Sequence, residues 1–493
     1  MKIERLIQGR SLFLIVLAAG LVFTSFAPAQ VTLTQLSQDT FTDSPSQHDT
    51  EVEPGTFTWG STIVTAFQVA RIYGGGGADI GFATSTDSGK TWTNGYLPGI
   101  TIYEGNGPND AASDAAVAYD AKHKVWLIST LPIASNTAVA VSRSTDALTW
   151  GDPVSVTNLG SPDKNWIACD NTATSHYYGN CYVEWDDTSN NEQIEMSTSS
   201  DGGLTWSVES STAAHDLGVG GVPLVRPNGT VVVPINGFNG IIAFTSTNGG
   251  KSWNKAVAIS TDNTHLEAGN LRSAGLVASA IDAGGKIYVA WPDCRYRTDC
   301  AENDIVYSTS TNGTMWSAVK RVPIDGVFST VDHFIIGLGI APGTKGATAH
   351  LALAYYYYPV SNCDASTCEL YAGFIQSSTG GAKWSNPVEL AGPMHLAWLP
   401  NTFSGYMVAD YVSVGFGGGK VFPVFAAAQT KSGSLFHEAI YTTATGQDAS
   451  VPEEEYLSAA GDLPVPNAHS DHGPRVFVDV EHKNPENNPP DRD

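Results

Sequence analysis

The stretch STDSGKTW at 85–92 recurs along the chain, and that recurrence restricts the fold more than any other feature. Related stretches stand at 199–206 (SSDGGLTW), 246–253 (STNGGKSW) and 377–384 (SSTGGAKW), with shortened forms at 144–150 (STDALTW) and 310–316 (STNGTMW). The closing tryptophans, Trp92, Trp150, Trp206, Trp253, Trp316 and Trp384, are 58, 56, 47, 63 and 68 residues apart. Apolar alternation precedes the copies, as in ADIGFATS (78–85) and GIIAFTS (240–246), and alternation marks a strand. Asp or Asn accepts from backbone amides two residues on, and Gly supplies positive φ, so each copy reads as a self-satisfied hairpin turn. Its Trp is an apolar body to bury between neighbouring sheets. A repeat of this length in a β-rich chain predicts propeller blades of four strands each. Repetition also argues that the Asp of the motif is scaffold, because a catalytic or metal site would not recur with every blade.

The strands around the boxes give a blade plan. Innermost strands are expected at 57–64, 114–120, 163–170, 219–225, 271–279, 331–340 and 406–414. Second strands follow, as at 125–130, 180–185, 230–235, 286–291, 349–358 and 420–426. The expected fold is all-β, a seven-bladed propeller of four-stranded antiparallel blades. The seventh blade has no box, which is explained if QVTLTQL (30–36) supplies its last strand and closes the ring. The propeller would span 30–450.

The pattern S-x-D-x-G-x-T-W resembles the Asp box, or BNR repeat, of the sialidase-like propellers. The resemblance covers roughly 50–445. It implies a secreted, carbohydrate-active propeller, foremost an exo-glycoside hydrolase that removes a terminal sialic or uronic acid. The alternatives are a polysaccharide lyase acting on uronic-acid glycans, of the rhamnose–glucuronate kind, and a non-catalytic propeller that binds glycan or protein.

Residues outside the repeat bound the setting. MKIERLIQGR is basic, about 16 apolar residues follow, and Ala27 and Ala29 form an A-x-A site, which together read as a signal peptide over 1–29. The six cysteines group by proximity as Cys169 with Cys181, Cys294 with Cys300, and Cys363 with Cys368, in a compartment that permits disulfides. Formal net charge is −24 with no Lys/Arg cluster, which argues against nucleic acid as a partner. The expected partner is a glycan or polysaccharide, with no membrane insertion and a monomeric chain. No cofactor is expected, although acidic loops such as EGNGPND (104–110) leave room for a structural calcium. The tail over 451–493, rich in acid, Pro and Asn, is expected to be partly disordered, with a rim strand at VFVDV (476–480).

Strand direction puts the boxes and the turns between first and second strands on one face. The starts of the inner strands lie on the opposite face, where a propeller binds at its channel mouth. Asp114, Asp163, Lys164, Asn165, Arg272, Asp332, His333 and Trp59 are expected there, with Asp410 and Tyr411 nearby and Arg71, Trp291, Asp293 and Arg295 in adjoining loops. Arginine matches carboxylates by its fork, and histidine beside an acid suits proton transfer near neutrality. Residue by residue, the sialidase resemblance implies Arg272, Arg295 and Arg71 as a carboxylate clamp, Asp114 as acid/base and Tyr411 or Tyr406 as nucleophile, helped by Glu184 or Glu267. For a lyase, Arg272 with Asn165 would neutralise the uronate, and His333, Lys164 or Tyr411 would take the proton.

Overall fold

The computed structural model describes residues 31–449 apart from Ala274. The expected signal peptide, the tail and its rim strand lie outside the described residues. What is described is β-structure, with helix confined to short 3₁₀ turns such as Thr188–Asn190. Four-stranded antiparallel units follow one another along the chain. The first comprises Glu51–Trp59, Thr62–Arg71, Gly77–Ser85 and Thr93–Tyr96. Later units start at Ala111–Asp120, Pro162–Cys169, Gly218–Val219 with Leu224–Val225, Ala278–Ile281 and Asp332–Ile340. The seventh joins Ser413–Gly417, Lys420–Ala428 and Glu438–Thr443 to Leu33–Gln35, which pairs antiparallel with Glu438–Thr443 (Leu33 opposite Thr443). First strands of successive units touch in chain order, and that of the seventh touches that of the first.

The repeated motif is a turn between third and fourth strands. In the first copy Ser85 Oγ donates to Asp87 Oδ1 at 2.8 Å, and Asp87 accepts from the Thr91 amide at 2.9 Å and the Thr91 hydroxyl at 2.7 Å. The amide and hydroxyl of Thr91 hold the Asp87 carboxyl down at about 2. Asp146 and Asp201 are held at about 2 by equivalent bonds. The turn also forms the seam between units. Gly89, at φ 84°, lies on the Phe422 ring of the seventh unit so closely that a Cβ would come within 2.2 Å. The equivalent glycines 203, 250, 313 and 381 lie on Leu127, Tyr182, Val232 and Tyr307 of the unit before. Ser88 N donates to Ser61 O at 2.9 Å, so the box and the turn between first and second strands share a face.

Some strand boundaries differ from the expectation. The stretch 57–64 crosses a turn, and the first strand begins six residues earlier, at Glu51. Pro54, Gly55 and two acids had hidden that strand. The seventh unit starts at Ser413, while Gly405–Tyr406 pairs in a separate hairpin with Asn401–Thr402. All six cysteines are bonded, as Cys169–Cys181, Cys294–Cys300 and Cys363–Cys368. Cys169 and Cys181 face each other across paired strands.

Candidate functional site

One irregularity recurs at the start of the first strands and aims side chains inward. Register shifts occur between Val52 and Gly55, Ser113 and Ala116, Asp163 and Trp166, and Phe334 and Ile336. Each is a β-bulge, an inserted residue that bends the strand. The residue at the bulge has positive φ: Glu53 at 58°, Asp114 at 45°, Lys164 at 49° and Ile335 at 42°. Glycines take the same position in the fourth and fifth units, Gly220 at 72° and Gly275 at 59°. Asp410 stands three residues before the seventh unit's first strand.

Three charged bulge residues of the first, second and third units, Glu53, Asp114 and Lys164, therefore come together with Asp410 of the seventh, and Arg272 joins them from the fifth. Lys164 Nζ donates to Asp410 Oδ2 at 2.6 Å and lies 3.4 Å from Asp114 Oδ1 and 3.6 Å from Glu53 Oε1. Arg272 grips Asp410 with two bonds, Nε to Oδ1 at 3.0 Å and Nη2 to Oδ2 at 2.5 Å. Asn165 Nδ2 donates to the Asp114 carbonyl at 2.7 Å, and Gln68 Nε2 links Glu53 to Ser113. All these side chains are buried. Burial works to raise the Asp410 carboxyl, but Arg272 and Lys164 outweigh it and hold the carboxyl well below the usual range. Burial dominates at Glu53 and pushes it up to about 8, against the pull of Lys164. For Lys164 burial is overcome by Asp114, Asp410 and Glu53, which keep the ammonium charged. Tyr411 borders the cluster, with Lys164 Nζ 5.9 Å from its ring centroid and Trp166 edge-on at 5.3 Å.

A second group lies nearer the strand start. Asp332 precedes the bulge at Ile335 by three residues, about 10 Å at ~3.3 Å per residue. The Asn303 amide donates to its Oδ1 at 2.7 Å, and His265 Nε2 lies 3.7 Å from its Oδ2. Burial lifts the Asp332 carboxyl to about 7, against the Asn303 amide and with the help of Glu302. The His265 side chain is 27% exposed, whereas the carboxyl is fully covered, so the imidazole is the member that meets solvent. His333 is buried, with Nδ1 3.2 Å from Asn303 O, and burial lowers its pKa. Asp304 and Asp325 approach His333 closely enough to be considered for a cation. Both carboxylates are already paired with Arg297 and Arg321.

The expected residues thus divide. Asp114, Asp163, Lys164, Asn165, Arg272, Asp410 and Tyr411 gather at the bulges, and Asp332 with His333 lies beyond them. Trp59 requires correction: it ends the first strand, on the box side, and stacks on Tyr119 at 5.2 Å. Trp291 is fully buried in an apolar cluster, its Nε1 donating to Asp293 Oδ2 at 3.0 Å, and offers no stacking face. The three arginines are held by different groups. Arg71 is buried at the end of the second strand against the Gly76 carbonyl and Met407 Sδ, and Arg295 is clamped by Asp293 and the Thr261 carbonyl. Sequence reading missed Glu53, whose neighbouring Pro54 disguised its strand, and His265, which lies in the unpatterned loop TDNTHLEAG (261–269).

No family model matches this chain, and no curated protein matches it in sequence. Solved structures similar to it include the NanB sialidase of Streptococcus pneumoniae, at 13% identity and TM-score 0.40, covering 83% of this chain and 70% of that one. An ulvan lyase, described as a member of a new polysaccharide lyase family, is similar at 11% identity and TM-score 0.47, covering 84% of this chain and 96% of its own. A protein of unknown function from Dyadobacter fermentans is similar at 14% identity and TM-score 0.44, over 71% of this chain and 98% of that one.

Proposed function

We propose that the chain is a seven-bladed β-propeller, completed by Leu33–Gln35, that acts outside the cell on acidic glycans and hydrolyses a terminal sugar by general acid–base chemistry. The observation that carries the chemistry is the His265–Asp332 pair at the face away from the boxes. A partly exposed imidazole backed by a buried carboxyl held near 7 can move a proton at neutral pH. Two disulfides, Cys294–Cys300 and Cys363–Cys368, lie in loops of that face and favour a preorganised rim. In the hydrolytic step His265 protonates the leaving oxygen as the C–O bond breaks. Water supplies the hydroxyl to the sugar carbon and returns a proton to the imidazole.

The acidic sugar rests on the box resemblance, since the three arginines expected as a carboxylate clamp are engaged separately. A lyase is the second reading, favoured by the same imidazole, which as a base would take the sugar C5 proton while the C4–O bond breaks. Its expected neutraliser, Arg272, is already held bidentately by Asp410, and hydrolysis is placed first for that reason.

The test is a panel of sialylated and uronate glycans incubated with the chain and with His265→Ala and Asp332→Asn. Released sugar, lost at least about a hundredfold in His265→Ala, supports hydrolysis. An unsaturated product absorbing in the ultraviolet would transfer the assignment to a lyase. Glycan binding with neither product would leave a binding propeller and overturn the enzymatic reading.

A further inference from the structure

The first strands enclose a cavity of about 530 Å³ that is distinct from the His265–Asp332 pair. It reaches from the box side, at Trp59, Thr172, Ala283 and Gly343, to a floor at Asp114, Lys164, Asn165 and Tyr411. Ligand pockets commonly hold ~300–1,000 Å³, with apolar walls and a few placed polar groups. The wall here is mostly apolar, with Val117, Ile167, Leu224, Val277, Leu338 and Val414 among its residues.

Asn165, a floor residue, carries an unmatched polar atom. Asn165 is 1% exposed, and its Nδ2 is fixed on the Asp114 carbonyl at 2.7 Å. Its Oδ1 has no hydrogen-bond partner among the described residues. A buried acceptor left without a donor is costly, so the floor favours a ligand that brings one. Charged groups at the floor already pair with one another. Lys164 and Arg272 face Asp410 and Asp114, and Glu53 sits beside them as a carboxyl that burial keeps protonated. A ligand ammonium or carboxylate would be buried and would have to displace one of these pairs to find a partner.

We propose that this channel binds an uncharged amphiphile of the long-chain alcohol class, its alkyl body along the apolar wall and its hydroxyl donating to Asn165 Oδ1. Entry is from the box face, so the site is separate from the glycan face and does not rest on the glycan reading.

The experiment is displacement of fluorescent phenylnaphthylamine from the purified chain by decanol, decanoate and decylammonium. Decanol is expected to displace the probe, with both charged chains at least about tenfold weaker, the size expected from burying an unpaired charge. Asn165→Leu should weaken decanol about fivefold, the worth of one hydrogen bond, and leave the probe's own affinity unchanged. Leu338→Trp, which fills the channel, should abolish binding of both. Absence of probe and decanol binding in the wild type, as for a channel holding only water, would overturn the proposal. So would equal displacement by all three head groups, or undiminished binding in Leu338→Trp. If a variant does not fold, the head-group series on the wild type decides alone.

Discussion

Lys164→Met removes the charge at the centre of the bulge cluster while keeping an apolar stem. The ammonium it deletes serves Asp410 at 2.6 Å, Asp114 at 3.4 Å and Glu53 at 3.6 Å. Asp410 would retain both bonds from Arg272. Glu53, held at about 8, is mostly protonated at neutral pH and loses little. Asp114 loses the Lys164 ammonium and remains 1% exposed. Removing one partner of a buried pair costs about 3–5 kcal/mol. At ~2.1 cal/mol/K per residue, about 420 residues unfold with an entropy of roughly 0.9 kcal/mol/K, so the melting temperature should fall by about 3–6 °C. Calorimetry on Lys164→Met, Asp114→Asn and the double variant measures this. The double variant removes both charges and should recover at least half of the loss, because the cost lies in an unpaired charge. A single variant melting within about 1 °C of wild type, or a double variant less stable than the single, would refute the reasoning.

Three further outcomes follow from groups elsewhere. Glu51 and Glu438 are buried together where the N-terminal segment meets the first and seventh units, with Ser37 Oγ 2.8 Å from Glu51 Oε2. Burial, aided by Asp39 and Asp49, lifts Glu51 to about 8, and burial with Glu51 raises Glu438 well above its ordinary value. Between the unfolded value of ~4.3 and about 8 the folded chain keeps a proton the unfolded chain has lost, so stability falls as pH rises, by up to about 1.4 kcal/mol per pH unit per group. Urea midpoints against pH should show this slope, and Glu51→Gln should flatten it; an unchanged slope would remove the assignment. At the acid end Asp87, Asp146 and Asp201, held at about 2, lose their stabilisation as pH falls from ~3.9 toward 2. Trp253→Ala deletes a box anchor that is 3% exposed and packs on Tyr182 and Phe244, at a cost of about 3–5 kcal/mol. Chemical denaturation should register that loss with glycan activity per folded molecule intact; lost activity with unchanged stability would reverse the reading of the box as scaffold.

The parts of the molecule legible in the sequence are those that local chemistry determines. The box closes through a Ser, an Asp and a Thr within seven residues, and its Trp is needed wherever two sheets meet. The disulfides join cysteines twelve residues apart or fewer, so proximity was enough to group them. Aromatic residues were less readable, since Trp59 and Trp291 look alike in sequence. One ends a strand on the box side and is 40% exposed, and the other fills a core. His265 belongs to no period at all, and only the fold brings it within 3.7 Å of Asp332, 67 residues away.

The bulge cluster was hidden for a different reason. A strand that reads Glu51-Val-Glu-Pro-Gly breaks every sequence rule for a strand: two acids, a proline and a glycine stand where β-branched residues are expected. The bulge removes the contradiction, because Pro54 falls in the unpaired part of the strand between Val52 and Gly55. It also shows that the charges are not required by the fold. Gly220 and Gly275 make the same backbone excursion without strain, whereas a side chain with positive φ costs on the order of 1–3 kcal/mol. Glu53, Asp114 and Lys164 accept that cost at three consecutive units, and Asp410 completes the group from the next unit round. Backbone geometry alone would favour glycine at each bulge. What the charged residues gain is one another, a network of Lys164, Arg272, Asp114 and Asp410 that fixes the floor of the cavity.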